Sequence, residues 1–166
     1  EMDTGVRLGL TADENTTVDH PMTATSSTVW VYEWIVPTEW PDGAFGVEIH
    51  SAQDLAGTAY SGNASETLIL DTTSPTISLK WNKENAIFRG GESIIFTTIL
   101  DESTSTPPLF SMSGIVTSTA MSATNSETHW TYDLNIPSGL NSSALVTIVA
   151  EDKAGNASSY TSTNSF

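Results

Sequence analysis

The stretch "HWTYDLNIP" at His129–Pro137 decides the fold. Trp130, Tyr132, Leu134 and Ile136 alternate with His129, Thr131, Asp133 and Asn135. Successive side chains of a β-strand point to opposite faces, so this period of two predicts a half-buried strand with one apolar and one polar face. Trp30, Tyr32, Trp34 and Val36 repeat the apolar face earlier in the chain. Further strands read in "PTISLKW", "ESIIFTTILDES", "FGVEIHSAQD" and "ALVTIVAED", and no convincing helical segment stands between them. Short strands separated by Gly, Pro, Asn and Ser predict an all-β sandwich.

Working outward, the same landmarks occur twice. "MTATSSTVWVYEWIVP" at Met22–Pro37 lies against "MSATNSETHWTYDLNIP" at Met121–Pro137. Trp30 and Trp130 are 100 positions apart, as are Pro37 and Pro137; Asp54 and Asp152 are 98 apart. Landmarks in one order at nearly one offset mark a repeated module. "QDLAGTAYS" at Gln53–Ser61 and "EDKAGNASS" at Glu151–Ser159 belong to that repeat. The first copy has one extra residue before its Asp, which predicts a β-bulge near Ser51–Ala52.

The boundary falls in "LDTTSPTIS", because Pro75 lacks an N–H and forces Ser74 to be extended, starting a strand cleanly. This gives one module at 1–71 and another at 72–166. The second reads as complete. The first is expected to lack one or two strands at its amino end, because much less chain precedes Met22 than precedes Met121 within its module. Two registers compete there: "DEN" at Asp13–Asn15 matches "DES" at Asp101–Ser103, or "MDTGV" matches "MSGIV" at Met112–Val116. The missing strand would belong to a longer array or come from another chain.

Lys plus Arg number 5 and Asp plus Glu 20, a net charge of −15. Binding to nucleic-acid phosphate backbones or anionic membrane surfaces requires cationic side chains, of which this chain has almost none, so neither is expected as a partner; no apolar run approaches the ~18 residues of a membrane span, so membrane insertion is not expected either. With no cysteine there is no disulfide frame, thiolate site or Cys nucleophile. The 22 Ser and 25 Thr suit a disordered stalk by themselves, but 38% hydrophobic residues and five Trp provide a core. Thr is then read as a β-branched strand former.

The ordered set "DTTSPTISL", "GGESIIFTTILDES", "WTYDLNIP" and "EDKAGNASS" resembles the bacterial Ig-like repeats of large secreted surface adhesins. The likeness covers the whole second module and the later two thirds of the first. It implies tandem immunoglobulin-like sandwiches projecting from a bacterial cell surface, with neighbouring modules as partners and a host or surface glycan or protein as target. It also implies calcium at module junctions in some members. Thr58 departs from the pattern, standing where the second module has Asn156.

In an Ig-like fold Asp152 would meet Asp101 and Glu102 from another loop and Asp71 from the linker, all at one end. Carboxylates gathered without nearby cations repel one another unless neutralised. Oxygen donors alone favour a hard cation such as Ca²⁺ over zinc or copper. Asp54 is the weaker candidate, since no linker precedes its module. The competing reading is a tight turn in which Gly57 and Gly155 supply positive φ and the Asp caps the loop. On the cation reading, Asp152→Asn is expected to weaken the response while leaving the turn intact.

No catalytic residue is expected. The chain has no Gly-x-Ser-x-Gly elbow, and its acids fall at turns rather than along a cleft. The rival function is a carbohydrate-binding module of a secreted polysaccharide-degrading enzyme. It would need an exposed aromatic row; Trp40 in "TEWPDG" is the tryptophan expected to be exposed.

Overall fold

The computed structural model describes residues 5–11, 17–37, 40–139 and 143–163. Among them there is no helix, and all strand pairs are antiparallel. The chain divides into two compact units, Glu1–Thr72 and Thr73–Phe166. The first holds β1 (Arg7–Thr11), β2 (Thr17–Pro21), β3 (Thr23–Ala24), β4 (Trp30–Val31), β5 (Gly43–Ser51) and β6 (Ser65–Leu70). The second holds β7 (Ile77–Trp81), β8 (Ser93–Leu100), β9 (Leu109–Met112), β10 (Val116–Ala120), β11 (Ser122–Ala123), β12 (His129–Asn135), β13 (Val146–Glu151) and β14 (Ala157–Thr161).

The second unit is built from two four-stranded sheets, β10-β9-β13-β14 and β11-β12-β8-β7. Strand β8 lies between β7 and β12, with Thr98 opposite Trp130, Phe96 opposite Tyr132 and Ile94 opposite Leu134. Its alternation sends Ile94, Phe96, Thr98 and Leu100 inward, all buried. The same period on β12 buries Trp130 and Leu134. Phe110 and Met112 of β9, with Val146, Ile148 and Ala150 of β13, complete the core. Phe110 joins the two sheets: its ring stacks on Tyr132 at 4.3 Å and lies 5.1 Å from Phe96. Such aromatic contacts add to the burial of large apolar area.

The first unit repeats part of this plan. Its sheet β2-β1-β5-β6 has the connectivity of β10-β9-β13-β14, and the two-stranded β3-β4 stands where β11-β12 does. Its described residues hold no counterpart of β7 or β8. The Met22 N–H donates to the Val6 carbonyl as the Met121 N–H donates to that of Pro108, so Val6 occupies the Pro108 position. Neither register weighed from sequence therefore aligns the start of the chain; Asp13–Asn15 themselves lie outside the described residues. The irregularity in β5 falls slightly before its expected place. Arg7 faces Ser51 and Leu8 faces Ile49, which leaves His50 as the extra residue.

Trp40 is half-buried rather than exposed. It stacks on Phe45 at 4.9 Å and meets Trp34 edge-on at 4.9 Å. The unit's core is small, and the ring gains more by covering Phe45 than by facing water.

Phe96→Ala removes a fully buried ring at the centre of a sheet. It should cost the second unit about 3–5 kcal/mol. Ile95→Ala, one residue along on the solvent face and 40% exposed, should cost well under that. Urea melts of the two variants check the contrast.

Candidate metal centre

The Asp-Ala-Gly motif folds as one turn in both units. Strand β13 ends at Glu151 and β14 begins at Ala157, leaving five residues to reverse the chain. The Asp152 N–H donates to the Asn156 carbonyl at 3.0 Å, closing the loop. Inside it, the N–H groups of Ala154, Gly155 and Asn156 all donate to Asp152 Oδ1, at 2.8, 2.7 and 2.9 Å. Asn156 Nδ2 donates to the other oxygen, Oδ2, at 2.8 Å. Gly155 supplies the positive φ, +97°, that lets three successive N–H groups converge.

In the first unit the Asp54 N–H likewise donates to the Thr58 carbonyl, and Gly57 has φ +88°. Asp54 Oδ1 accepts from the N–H groups of Ala56 and Thr58, at 2.9 and 2.7 Å. Thr58 has no amide to match Asn156 Nδ2. Asp54 is also exposed, whereas Asp152 is fully buried.

These contacts set the carboxyl affinities. Burial works against the Asp152 charge, but the donors from the Asn156 side chain and the backbone outweigh it and hold its pKa below the usual carboxylate value. Asp54 is lowered chiefly by the Thr58 N–H. Asp101 is lowered by Thr76, whose N–H donates to Oδ1 at 2.7 Å.

The sequence candidates thus separate. Glu102 and Asp152, both of the second unit, place carboxylate oxygens within 4.8 Å of each other, Glu102 half-buried and Asp152 buried; Asp71 belongs to the first unit. Asp101 is not in this group; its carboxylate caps Thr76 in the segment leading into β7. Asp54 is not in it either, and caps its own turn. The loop after β8 carries Glu102, and the described residues of the first unit hold no counterpart of β8, so Asp54 meets no equivalent acid.

The donor set fits a hard cation. Calcium–oxygen bonds of about 2.4 Å place ligands on opposite sides of the ion about 4.8 Å apart. The Glu102 and Asp152 oxygens can therefore share one coordination sphere. Asp152 has only Oδ2 to offer, since Oδ1 already accepts three hydrogen bonds. Sequence reasoning did not single out the capping role of the Asn156 side chain, although the Thr58 difference pointed to it. It also missed Thr104, whose backbone bridges Asp152 and whose hydroxyl is buried without a hydrogen-bond partner.

No protein-family model matches the chain, and no curated protein matches it.

The turn geometry revises the expectation for Asp152→Asn. With its oxygen kept at Oδ1, the new amide would face Asn156 Nδ2, donor against donor. The turn should loosen, lowering the Tm of the second unit by roughly 5 °C or more. Gly155→Val should also destabilise, through positive φ alone, because a Cβ there meets nothing within 4 Å. The pH dependence follows from the sign of the shift. The folded Asp152 and Asp101 pKa values lie below the unfolded value of about 3.9. Their contribution is complete above about pH 4 and is lost as pH falls through the lowered folded values. Thermal melts from neutral to acid pH should show this loss, reduced in Asp152→Asn.

Proposed function

We propose that the chain is a non-enzymatic structural and interaction segment: tandem immunoglobulin-like modules of an extracellular bacterial adhesin or surface filament, with calcium held in the second unit by Glu102 and Asp152. The observation that carries this reading is the repetition itself. One sheet order and one aspartate-capped turn appear in both units, the signature of modules strung along a chain. A net charge of −15 suits a soluble extended chain and the capture of cations.

The paired carboxylates of Glu102 and Asp152 support the cation. Like charges this close raise one another's energy, and a divalent ion removes that cost. The carbohydrate-binding rival draws less support. All five tryptophans are buried or half-buried, and Trp34 and Trp40 pack on Phe45 instead of forming a flat exposed platform.

Calcium should stabilise the folded chain by about 2.7 kcal/mol at a hundredfold excess over Kd. Calorimetry of the full chain, with millimolar CaCl₂ against EDTA, should show the transition of the second unit move up with calcium. Glu102→Gln, which removes a charged ligand, should blunt that shift. An unmoved transition would leave the acids as a solvated rim, and saturable binding of a polysaccharide would favour the rival.

A further inference from the structure

Beside the Glu102 and Asp152 carboxylates lies a neutral oxygen that the protein leaves without a bond. Thr104 stands two positions beyond Glu102, in the segment after β8. It pairs with Asp152 in an isolated antiparallel bridge. The Ser105 N–H donates to the Glu151 carbonyl at 3.4 Å, between residues that flank this pair. A hydrogen bond made by the flanking residues marks Thr104 and Asp152 as a non-hydrogen-bonded pair, the kind whose Cα atoms approach to about 4.5 Å. Residues opposite each other in such a pair turn their side chains to one face, with Cβ atoms about 4.5–5.5 Å apart. The Thr104 hydroxyl is thus carried to the same side as the Asp152 carboxylate.

Thr104 is 9% exposed, and its Oγ1 has no hydrogen-bond partner among the described residues. Asp152 does not take its proton: Oδ1 accepts from three backbone N–H groups and Oδ2 from Asn156 Nδ2. A hydroxyl buried in this way has given up its bonds to water and gained none in the protein. Its oxygen still carries two lone pairs. Trp130 Nε1 is also buried without a partner, and Trp130 lines a cavity of about 300 Å³ with Thr104. An indole N–H only donates, so of these two groups Thr104 alone suits a cation.

We propose that Thr104 Oγ1 is the third protein ligand of the calcium ion, joining the two charged oxygens of Glu102 and Asp152 with a neutral one. The inference rests on the cation reading and extends it. Calcium takes 6–8 oxygen ligands, neutral ones among them, at about 2.3–2.6 Å and in irregular geometry. Glu102 and Thr104 come from the segment after β8 and Asp152 from the turn after β13, so the ion fastens one loop to the other.

The test titrates the full chain with CaCl₂ by calorimetry, comparing wild type, Thr104→Val, Thr104→Ser and Glu102→Gln, with thermal melts in EDTA alongside. Thr104→Val keeps the shape of the side chain and deletes the oxygen. It should weaken calcium binding about tenfold or more, since even outer-sphere partners of a bound metal are worth about 10–100-fold. Thr104→Ser keeps the oxygen and should bind close to wild type. Without calcium the direction reverses. Thr104→Val then removes a buried unpaired hydroxyl, so its Tm in EDTA should equal or exceed that of wild type. The proposal falls if Thr104→Val binds calcium as wild type does, or if Thr104→Ser binds as weakly as Thr104→Val. It also falls if the Tm of Thr104→Val in EDTA drops below wild type, which would give the hydroxyl a partner within the protein. Weakened binding in Glu102→Gln with none in Thr104→Val strikes Thr104 alone and leaves the cation reading; absence of binding by wild type strikes both.

Discussion

A β-strand carries N–H and C=O groups along both edges, and each row needs a partner that water or another strand must supply. Strand β8 meets this constraint most completely. It has a neighbour on each side, and its alternate residues Ile94, Phe96, Thr98 and Leu100 face the opposite sheet. Removing it would leave β12 and β7 without their shared neighbour, and Phe110 without the ring that meets it from β8. The described residues of the first unit hold no counterpart of that strand. The unit's larger sheet keeps its order, because β5 still pairs with β1 and β6, but the smaller sheet shrinks to two residues on each strand.

The turn motif obeys a second, local constraint. A five-residue reversal leaves several N–H groups pointing inward, and one carboxylate oxygen gathers three of them. That requirement explains why Asp and Gly recur together without invoking a ligand. The cation proposal begins where the cap ends, at the second Asp152 carboxylate oxygen and at Glu102 beside it. Buried Asp152 and exposed Asp54 show how a single sequence motif takes on different surroundings when a neighbouring loop is present in one unit only.

Much of the all-β plan was legible. His129–Pro137 alternates cleanly because one face meets a core and the other meets water, and β12 occupies that stretch. The turn was legible because Gly-rich reversals have few residue solutions. The cluster was less so. Asp101 and Glu102 are adjacent in sequence, and nothing in their order says that one caps Thr76 while the other turns to Asp152. Trp40 was misread because its neighbours in "TEWPDG" are polar, whereas its packing partner Phe45 lies beyond the turn. The bulge was placed slightly late, since composition marks an extra residue but pairing alone decides which one is left out.

Residue-resolved amide hydrogen exchange tests the central claim most directly, that β8 holds the second unit's core together while no strand among the first unit's described residues pairs with Tyr32–Val36. Exchange reports the free energy of opening at each amide. The account predicts that amides of β8 and β12, including Phe96, Thr98 and Tyr132, exchange only with global unfolding of their unit. It predicts that Tyr32–Val36, in the protein alone, exchange at rates near those of an unstructured chain. Equal protection of Tyr32–Val36 and Tyr132–Ile136 in the monomeric protein would contradict it.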